Sequence, residues 1–256
     1  MVNCRACNSS INKSYMGKIA PFVSNRMLHG QQEEYVFECM SCGLVWINVN
    51  PSHEDMMRHY DGYWSNDYIT EREKCEPSFK EKKSANFSVR NTDKYIDKFI
   101  KEYAGTPETI LDLGGGSGIE APFIGISNID VFDISNVDVI PECKKVTSIN
   151  KYYDLVVLSH ILEHVPNPQG MLNEALSYCS NDGYVYIEIP DEASQYGKRP
   201  RYSNVSRLRG FWHEHIQYFD TTSITALVNT CGARVVSLEQ KMLFSGDIIQ
   251  VLVSSK

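Results

Sequence analysis

The feature that most constrains the fold is a glycine-rich turn that directly follows a short apolar strand. Residues 109–113 are strand-like, and four glycines follow between Gly114 and Gly118. Glycine carries no Cβ and tolerates positive φ, so such a turn lets the backbone approach a ligand closely. From Glu108 onward, short apolar strands alternate with helices, which predicts a parallel sheet covered on both faces. We therefore expect an α/β protein with a ligand crevice at the carboxyl ends of its strands.

Seven segments make up the predicted sheet. They are residues 109–113, 128–132, 144–149, 153–159, 184–189, 233–238 and 247–253, and a helix capped by Asp220 or Thr221 is predicted at 221–231. Only residues 239–246 separate the last two strands, which is too few for a helical crossover. These strands should pair antiparallel, so that a parallel sheet ends in an antiparallel strand.

Two carboxylates suggest that the crevice holds a nucleoside. Asp133 ends the second predicted strand, about 20 residues after the turn, where a carboxylate can accept both ribose hydroxyls. Residues 116–121 also match the dinucleotide fingerprint G-x-G-x-x-A, so an oxidoreductase with a nicotinamide cofactor is the first rival interpretation. Asp112 disfavours that rival, because its carboxylate would repel a pyrophosphate but suits a ligand with an amino group and a sulfonium.

Two pairs of cysteines near the N-terminus have the spacing of metal-binding knuckles. They are Cys4 with Cys7 and Cys39 with Cys42. Both sulfurs of a pair can reach one ion, and two pairs complete the closed tetrahedral shell of a structural zinc site. A redox pair or disulfides are the alternatives. The intervening residues, 8–38, predict a hairpin or small lobe, whereas the other four cysteines are scattered singly.

We predict three parts: a zinc-binding lobe at 1–50, a helical, aromatic-rich linker or lid at 51–105, and an α/β domain at 106–256. The sequence has no bilayer-length apolar stretch and no signal peptide, and its free thiols favour a reducing, cytoplasmic setting. The net charge of −7 argues against nucleic-acid binding. A second rival is a binding module whose zinc knuckles dock a partner, and the intact glycine turn weighs against it.

Residues 108–256 resemble the class I S-adenosylmethionine-dependent methyltransferases, which have a Rossmann-like, seven-stranded sheet with an antiparallel last strand. The resemblance implies that Asp112 and the turn glycines hold the methionine part of the cofactor and that Asp133 holds the ribose. The glycines concerned are Gly114, Gly116 and Gly118. The stretch 154–168 looks like the family's fourth strand and the segment after it, which adds Ser159 and His160 to the cofactor side.

A narrower resemblance covers nearly the whole chain. The paired cysteines, the Cys-Gly-Leu-Val-Trp run at 42–46, Glu-His-Val-Pro-Asn-Pro at 163–168, Glu-Ile-Pro-Asp at 188–191 and the segment 211–219 look like the zinc-containing sugar methyltransferases. That group acts on nucleotide-linked deoxysugars, and its best-known members methylate carbon. We expect the chain to differ from them in lacking their additional C-terminal domain. The resemblance implies an anionic sugar-nucleotide acceptor, and we expect a monomer or homodimer.

Histidines supply the candidate base. Methyl transfer requires alignment of acceptor, methyl and sulfur and removal of a proton, which suits histidine. The first candidate is His215, within the triplet His213, Glu214 and His215, and the next is His164. The alternative role for each is a hydrogen-bonded packing residue.

A second metal is a further hypothesis. If residues 161–165 form a helical turn, His160, Glu163 and His164 fall at i, i+3 and i+4 on one face. Such ligands suit a catalytic divalent ion with open positions. Some O-methyltransferases of ubiquinone synthesis carry a similar cluster, so a metal-assisted O-methyltransferase of another small molecule is the alternative function.

Overall fold

The computed structural model describes residues 2–63, 65–75, 95–135, 137–192, 211–212, 214–243 and 246–255. Their helices are α1 (Pro21–Met27), α2 (His53–Tyr60), α3 (Asn66–Cys75), α4 (Tyr95–Ala104), α5 (Pro168–Ser177) and α6 (Thr221–Thr230). Their strands are β1 (Asn12–Ile19), β2 (Glu33–Cys39), β3 (Val45–Ile47), β4 (Thr109–Leu113), β5 (Asn128–Phe132), β6 (Cys143–Lys145), β7 (Tyr153–Ser159), β8 (Cys179–Pro190), β9 (Phe211–Trp212), β10 (Gln217–Tyr218), β11 (Arg234–Leu243) and β12 (Gly246–Ser254).

The larger sheet has seven strands in the order β11-β12-β8-β7-β4-β5-β6. Strands β8, β7, β4, β5 and β6 run parallel, and β12 lies antiparallel between β11 and β8. The predicted sheet with an antiparallel end strand is thus confirmed. β6 is shorter than predicted because it is an edge strand that pairs only with β5, and β8 extends beyond both predicted ends.

Helices cover both faces of this sheet. On one face, Leu172 of α5 and Leu227 of α6 pack against strand residues such as Val156. On the other face, Phe99 and Ile100 of α4 pack against the alternate residues of the same strands. Strands buried on both sides need continuous apolar runs, which is what β7 provides. The helix α6 begins where predicted, with Asp220 and Ser223 forming a capping box.

The smaller sheet has five strands in the order β10-β3-β2-β1-β9. Strands β1 and β2 form an antiparallel pair with α1 between them, in agreement with the lobe expected between the cysteine pairs. β9 joins β1 in parallel and β10 joins β3 antiparallel, so two short strands from residues 211–218 complete the N-terminal sheet. The segment 211–218 therefore ties the lobe to the rest of the chain.

The lobe shares its hydrophobic core with the larger sheet. Cys4, Leu44 and Trp46 are buried in the same cluster as Leu111 and Val156. The described part of the middle segment contains α2, α3 and α4, and α2 begins with the Ser52 and Asp55 capping box. Within the described ranges, no helix has the length and apolar character needed to cross a bilayer.

Candidate active site

The glycine turn after β4 adopts a backbone that only glycine accommodates without strain. Gly114, Gly116 and Gly118 have φ of 84°, 56° and 75°. Gly115 is needed for a different reason, because a Cβ there would lie 2.0 Å from Oδ2 of Asp112. At Gly116, by contrast, a Cβ would meet no atom within 4 Å, so the backbone here borders open space. The turn thus leaves room for a ligand beside its backbone.

Asp112 lies directly beneath this turn as a buried acid. Asp112 is 4% exposed, and its side chain has no hydrogen bond or ion pair with the described residues. Burial, followed by the charges of Asp133 and Glu120, raises the pKa of Asp112 to about 7. A carboxylate in this position is costly unless a cation approaches it. The site therefore favours a ligand with positive charge.

Asp133 follows β5 and faces the same turn. Its Oδ2 accepts a hydrogen bond from the Gly116 amide at 2.8 Å, and its Oδ1 accepts one from the Ser135 amide at 2.6 Å. Each carboxylate oxygen has further lone pairs, so these bonds hold the group in place without exhausting its capacity to accept ribose hydroxyls.

The segment after β7 packs onto the glycine turn. A Cβ on Gly114 would lie 2.2 Å from Cδ1 of Ile161, so the two chains are in close contact. His160, at the start of this segment, has a left-handed φ of 55°. The residues after it form one turn, in which the His164 amide donates to the Ile161 carbonyl at 3.0 Å. Amides of Ile216 and Gln217 donate to the Glu163 carbonyl at 2.9 and 3.1 Å. Residues 214–217 are thereby held against residues 160–165.

His160 is held between two buried carboxylates. Its Nδ1 lies 3.1 Å from Oε1 of Glu163, and its Nε2 lies 3.0 Å from Oε1 of Glu188. Burial alone would lower the pKa of His160, but the hydrogen bonds to the two glutamates raise it to about 9. Burial would likewise raise the pKa of Glu163, but the His160 hydrogen bond lowers it to about 2. Tyr95 and Tyr186 also donate to Glu188.

His164 and His215 form a contacting pair at the edge of the crevice. Their rings are T-shaped, with centroids 4.7 Å apart. Nδ1 of His164 lies 3.1 Å from the Glu214 carbonyl, which makes this nitrogen the donor. Burial lowers the pKa of His164 to about 4. Burial would also lower the pKa of His215, but Glu192, 2.9 Å from its Nδ1, raises it to about 10.

The side chain of Glu214 points toward the helical segment. Its oxygens accept from Nη1 of Arg72 at 3.2 Å, and one lies 3.5 Å from Nε2 of His59. Burial would raise the pKa of Glu214, but the charge of Arg72 holds it well below its ordinary value. Tyr60 lies beside the same group, with its ring centroid 6.2 Å from that of His164. Helices α2 and α3 thus border the edge of the crevice at which His164 and His215 lie.

Two groups of side chains have donor atoms close enough to share a metal ion. The first is the predicted set of Cys4, Cys7, Cys39 and Cys42, and the second consists of Glu163, His164 and His215. Within each group, all donor atoms lie within 4.8 Å of one another. The sequence hypothesis for a second metal used His160 together with Glu163 and His164. In the structure, both ring nitrogens of His160 face carboxylates, and His215 takes its place in the group.

The cysteine cluster has the dimensions of a tetrahedral thiolate site. The Cys4 and Cys42 sulfurs are 3.6 Å apart, as are those of Cys7 and Cys39. Zinc–sulfur bonds of about 2.3 Å imply sulfur–sulfur distances of roughly 3.8 Å in a tetrahedron. Backbone amides of Ala6 and Ser41 donate to two of the sulfurs, and none of the described cysteines forms a disulfide. The donor set fits a structural metal.

A family model described as a methyltransferase domain matches residues 88–238. The chain belongs to this methyltransferase family. Together with the seven-stranded order and its antiparallel strand, the match confirms the prediction of a class I S-adenosylmethionine-dependent methyltransferase. The comparison with curated proteins gave no match.

Three solved structures illustrate the methyltransferases to which this chain is similar. Magnesium protoporphyrin IX methyltransferase from Synechocystis, with bound S-adenosylhomocysteine, is 11% identical, with a TM-score of 0.48 over 69% of this chain and 84% of that one. A glycopeptide N-methyltransferase with S-adenosylmethionine is 13% identical, with a TM-score of 0.48 over 62% and 92%. A plantazolicin methyltransferase with S-adenosylhomocysteine is 12% identical, with a TM-score of 0.47 over 73% and 94%.

Several predicted residues lie around this methyltransferase crevice, and others were missed. Ser159 ends β7 and His160 follows it, beside the glycine turn, whereas His213 lies outside the described residues. Sequence reasoning gave no role to Glu188, Glu192 or Arg72. Glu188 left a signal, since a carboxylate within the apolar run of β8 must find partners when buried. Arg72 left none, because its partner Glu214 is 142 residues away.

Proposed function

We propose that the enzyme transfers a methyl group from S-adenosylmethionine to a small acceptor, a sugar nucleotide or related phosphorylated saccharide precursor. The observation that carries the cofactor assignment is the buried Asp112 carboxylate beneath the glycine turn. S-adenosylmethionine carries an ammonium and a sulfonium, which would offset the cost of burying this charge. The pyrophosphate of a nicotinamide cofactor would add to that cost, which disfavours the oxidoreductase alternative.

The turn glycines and Asp133 fit the remaining parts of the cofactor. Backbone at Gly114, Gly116 and Gly118 would approach the methionine portion, and Asp133 would accept the ribose hydroxyls while two amides hold its carboxylate in position. Ser159 and His160 border the same pocket from β7. His160 is fixed there by the two glutamates that contact its ring.

We assign His164 and His215 to the acceptor. They lie on the segment that packs over the glycine turn and on the segment bonded to it, so an acceptor beside them is close to the cofactor pocket. Glu214 supports His164 through its carbonyl, which orients the His164 ring. The Tyr60 ring next to His164 offers an apolar face to a sugar or a base. His213 stays a candidate from the sequence alone.

The saccharide acceptor is proposed from the motif resemblance. Two parts of that resemblance have support from the structure. The thiolates of the four-cysteine cluster fit zinc, and the segment 214–219 borders the crevice. The zinc is structural in this proposal, because four thiolates leave no open position. We further propose a cytoplasmic monomer or homodimer that acts on an anionic small molecule and not on nucleic acid.

Mass spectrometry after incubation with S-adenosylmethionine and an acceptor panel tests this function. The panel contains sugar nucleotides, unlinked phosphosugars and small phenolic compounds. We expect methylated product and S-adenosylhomocysteine with sugar nucleotides, and weaker turnover in an Asp133→Asn variant. Methylation of phenols alone would favour the metal-assisted O-methyltransferase of another small molecule. If no acceptor in the panel leads to S-adenosylhomocysteine, the proposal that the enzyme methylates saccharides or other small molecules is contradicted.

A further inference from the structure

We propose that Glu163, His164 and His215 bind a divalent transition-metal ion at the acceptor side of the crevice. This inference rests on the proposed methyltransferase function and concerns how the acceptor is held and activated. One donor atom from each residue lies within 4.8 Å of the other two. Metal–ligand bonds of about 2.0–2.2 Å place ligand atoms roughly 3.3 Å apart in a tetrahedron, so closure around an ion requires shifts on the order of 1 Å.

Each of the three residues has one polar atom held by a partner outside the group. Nδ1 of His164 faces the Glu214 carbonyl, and Nδ1 of His215 faces the Glu192 carboxylate. Oε1 of Glu163 faces Nδ1 of His160. In metal sites, ligating histidines regularly use one ring nitrogen for a carbonyl or carboxylate and the other for the ion. The same division is present here for both rings.

The remaining atoms of the group have no partner within the described chain. Oε2 of Glu163 is buried without a hydrogen bond, although the residue is only 1% exposed. Nε2 of His164 lies 3.9 Å from Oε1 of Glu163, which is beyond hydrogen-bond distance. A buried carboxylate oxygen without a donor costs free energy, and an ion at this point would remove that cost.

The local charge also favours a cation. The carboxylates of Glu163, Glu188, Glu192 and Glu214 surround the metal-binding group. Among the described residues, Arg72 pairs with Glu214, and the His160 ring pairs with Glu163 and Glu188, so the carboxylates outnumber these two cationic groups. The two His side chains are 13% and 26% exposed, so the group is accessible from the crevice. An ion there would have protein ligands on one side and open positions on the other.

The donor set defines the ion and its chemistry. Two imidazoles and one carboxylate suit Zn²⁺ and related transition ions better than Mg²⁺ or Ca²⁺, which prefer oxygen ligands. An ion held by these residues would lower the pKa of an acceptor hydroxyl in an open position, so that the hydroxyl could lose its proton to water. The acceptor oxygen would then attack the methyl carbon, with the new O–C bond forming as the S–C bond breaks and the bonding pair returning to sulfur to give S-adenosylhomocysteine. The two histidines thus act on the acceptor as ligands.

Cobalt titration tests the metal site. Protein purified with one zinc per chain in the cysteine cluster is titrated with Co²⁺ and followed by visible absorption. We expect one further equivalent of Co²⁺ to bind and to produce ligand-field bands in the visible spectrum. Binding at the cysteines would also give thiolate-to-cobalt charge-transfer bands in the near ultraviolet, and we expect none of these. His215→Asn and Glu163→Gln should each weaken this binding by about 100-fold or more, since even outer-shell losses cost 10–100-fold. His53→Asn, at an exposed position on α2, should leave it unchanged.

Wild-type protein decides the question even if a variant fails to fold. The proposed metal site is overturned if wild-type protein binds no equivalent of Co²⁺ beyond the zinc at millimolar Co²⁺. It is also overturned if the ligand-field bands survive in both His215→Asn and Glu163→Gln. Calorimetry with S-adenosylhomocysteine on the same samples separates the two proposals. Cofactor binding without cobalt binding overturns the metal and leaves the methyltransferase function standing. Cobalt binding without cofactor binding supports the metal site and contradicts the proposed function.

Discussion

Asp112 is the residue at which folding and function make opposite demands. Its carboxylate is buried beside Asp133 and has no cationic partner in the described chain. Because burial raises its folded-state pKa to about 7, its contribution to stability is present at low pH and is lost as the pH rises through 7. A cationic cofactor reverses this effect by favouring the ionised form.

The variant Asp112→Asn should therefore stabilise the protein without cofactor at pH 8 and weaken its cofactor binding. We expect a higher Tm than wild type at pH 8 and a loss of about 10-fold in affinity for S-adenosylhomocysteine, about 1.4 kcal/mol. The affinity of the wild type for S-adenosylhomocysteine should rise between pH 6 and pH 8, whereas the affinity of the variant should not. Differential scanning fluorimetry and calorimetry measure the two effects.

Asp130→Asn is the matched control for this prediction. Asp130 is also buried, but it accepts from the Tyr153 hydroxyl at 2.8 Å and pairs with Lys151 at 3.0 Å. Its replacement should lower Tm and leave cofactor affinity unchanged. A lower Tm for Asp112→Asn at pH 8, similar to that of the control, would show that Asp112 serves only the fold.

Individual site residues differed in how far the sequence could predict them. Asp112, Asp133 and the glycines follow from position, since each lies at or just after the end of a strand that the apolar pattern marks. The partners of His160 did not follow, because Glu188 comes from a neighbouring strand and His160 adopts a left-handed φ that no local signal required. His215 joins Glu163 and His164 through tertiary contacts alone.

At the level of elements, α3 is joined to the segment 214–217 by one buried ion pair. Arg72 is 5% exposed, and its guanidinium contacts both Glu214 oxygens. Loss of one partner from a buried pair leaves the other charge uncompensated, which typically costs about 3–5 kcal/mol. The pair therefore helps to hold α3 against the crevice, together with the contact between the Tyr68 ring of α3 and the Phe22 ring of α1.

Arg72→Met should destabilise the protein strongly, by about 3 kcal/mol in urea unfolding. Adding Glu214→Gln to the same chain should recover a large part of that loss, because it removes the unpaired charge. Arg58→Met is the control: Arg58 pairs with Asp55 with a side chain that is 44% exposed, so its loss should cost at most about 1 kcal/mol. Equal losses for Arg72→Met and Arg58→Met would contradict this account.

Elements were predictable where the signal is local. The helix α6 and its Asp220 cap, the capping box of α2 and the apolar run of β7 all carry their signals within a few residues. The short strands β9 and β10 do not, because each is only two residues long and exists by pairing with β1 and β3 of the distant lobe. The division of the chain near residues 50 and 105 stays a prediction.

At the scale of the whole molecule, the cysteine cluster is part of the central core. Cys4, Cys39 and Cys42 are buried in the cluster that also contains residues of β4, β7 and β8. Loss of the metal should therefore weaken the entire fold and not only the lobe.

Cys39→Ser should lower the Tm and the yield of soluble protein more than it alters turnover of the fraction that folds, and it should lower bound zinc. The effect should appear as one shifted transition, since the lobe and sheet share a core. Cys231→Ser is the control, because this thiol lies outside the four-cysteine cluster and its hydrogen bond to the Gln169 carbonyl is long, at 3.7 Å. Normal Tm with selectively abolished turnover in Cys39→Ser would contradict a structural role for the metal.

The central claim is that the crevice beneath Gly114–Gly118 binds S-adenosylmethionine. Isothermal titration of the purified protein with S-adenosylhomocysteine, and separately with NAD, tests it most directly. We predict one S-adenosylhomocysteine bound per chain, binding weakened by Asp112→Asn, and no heat of binding with NAD. Tight binding of NAD without binding of S-adenosylhomocysteine would contradict the claim.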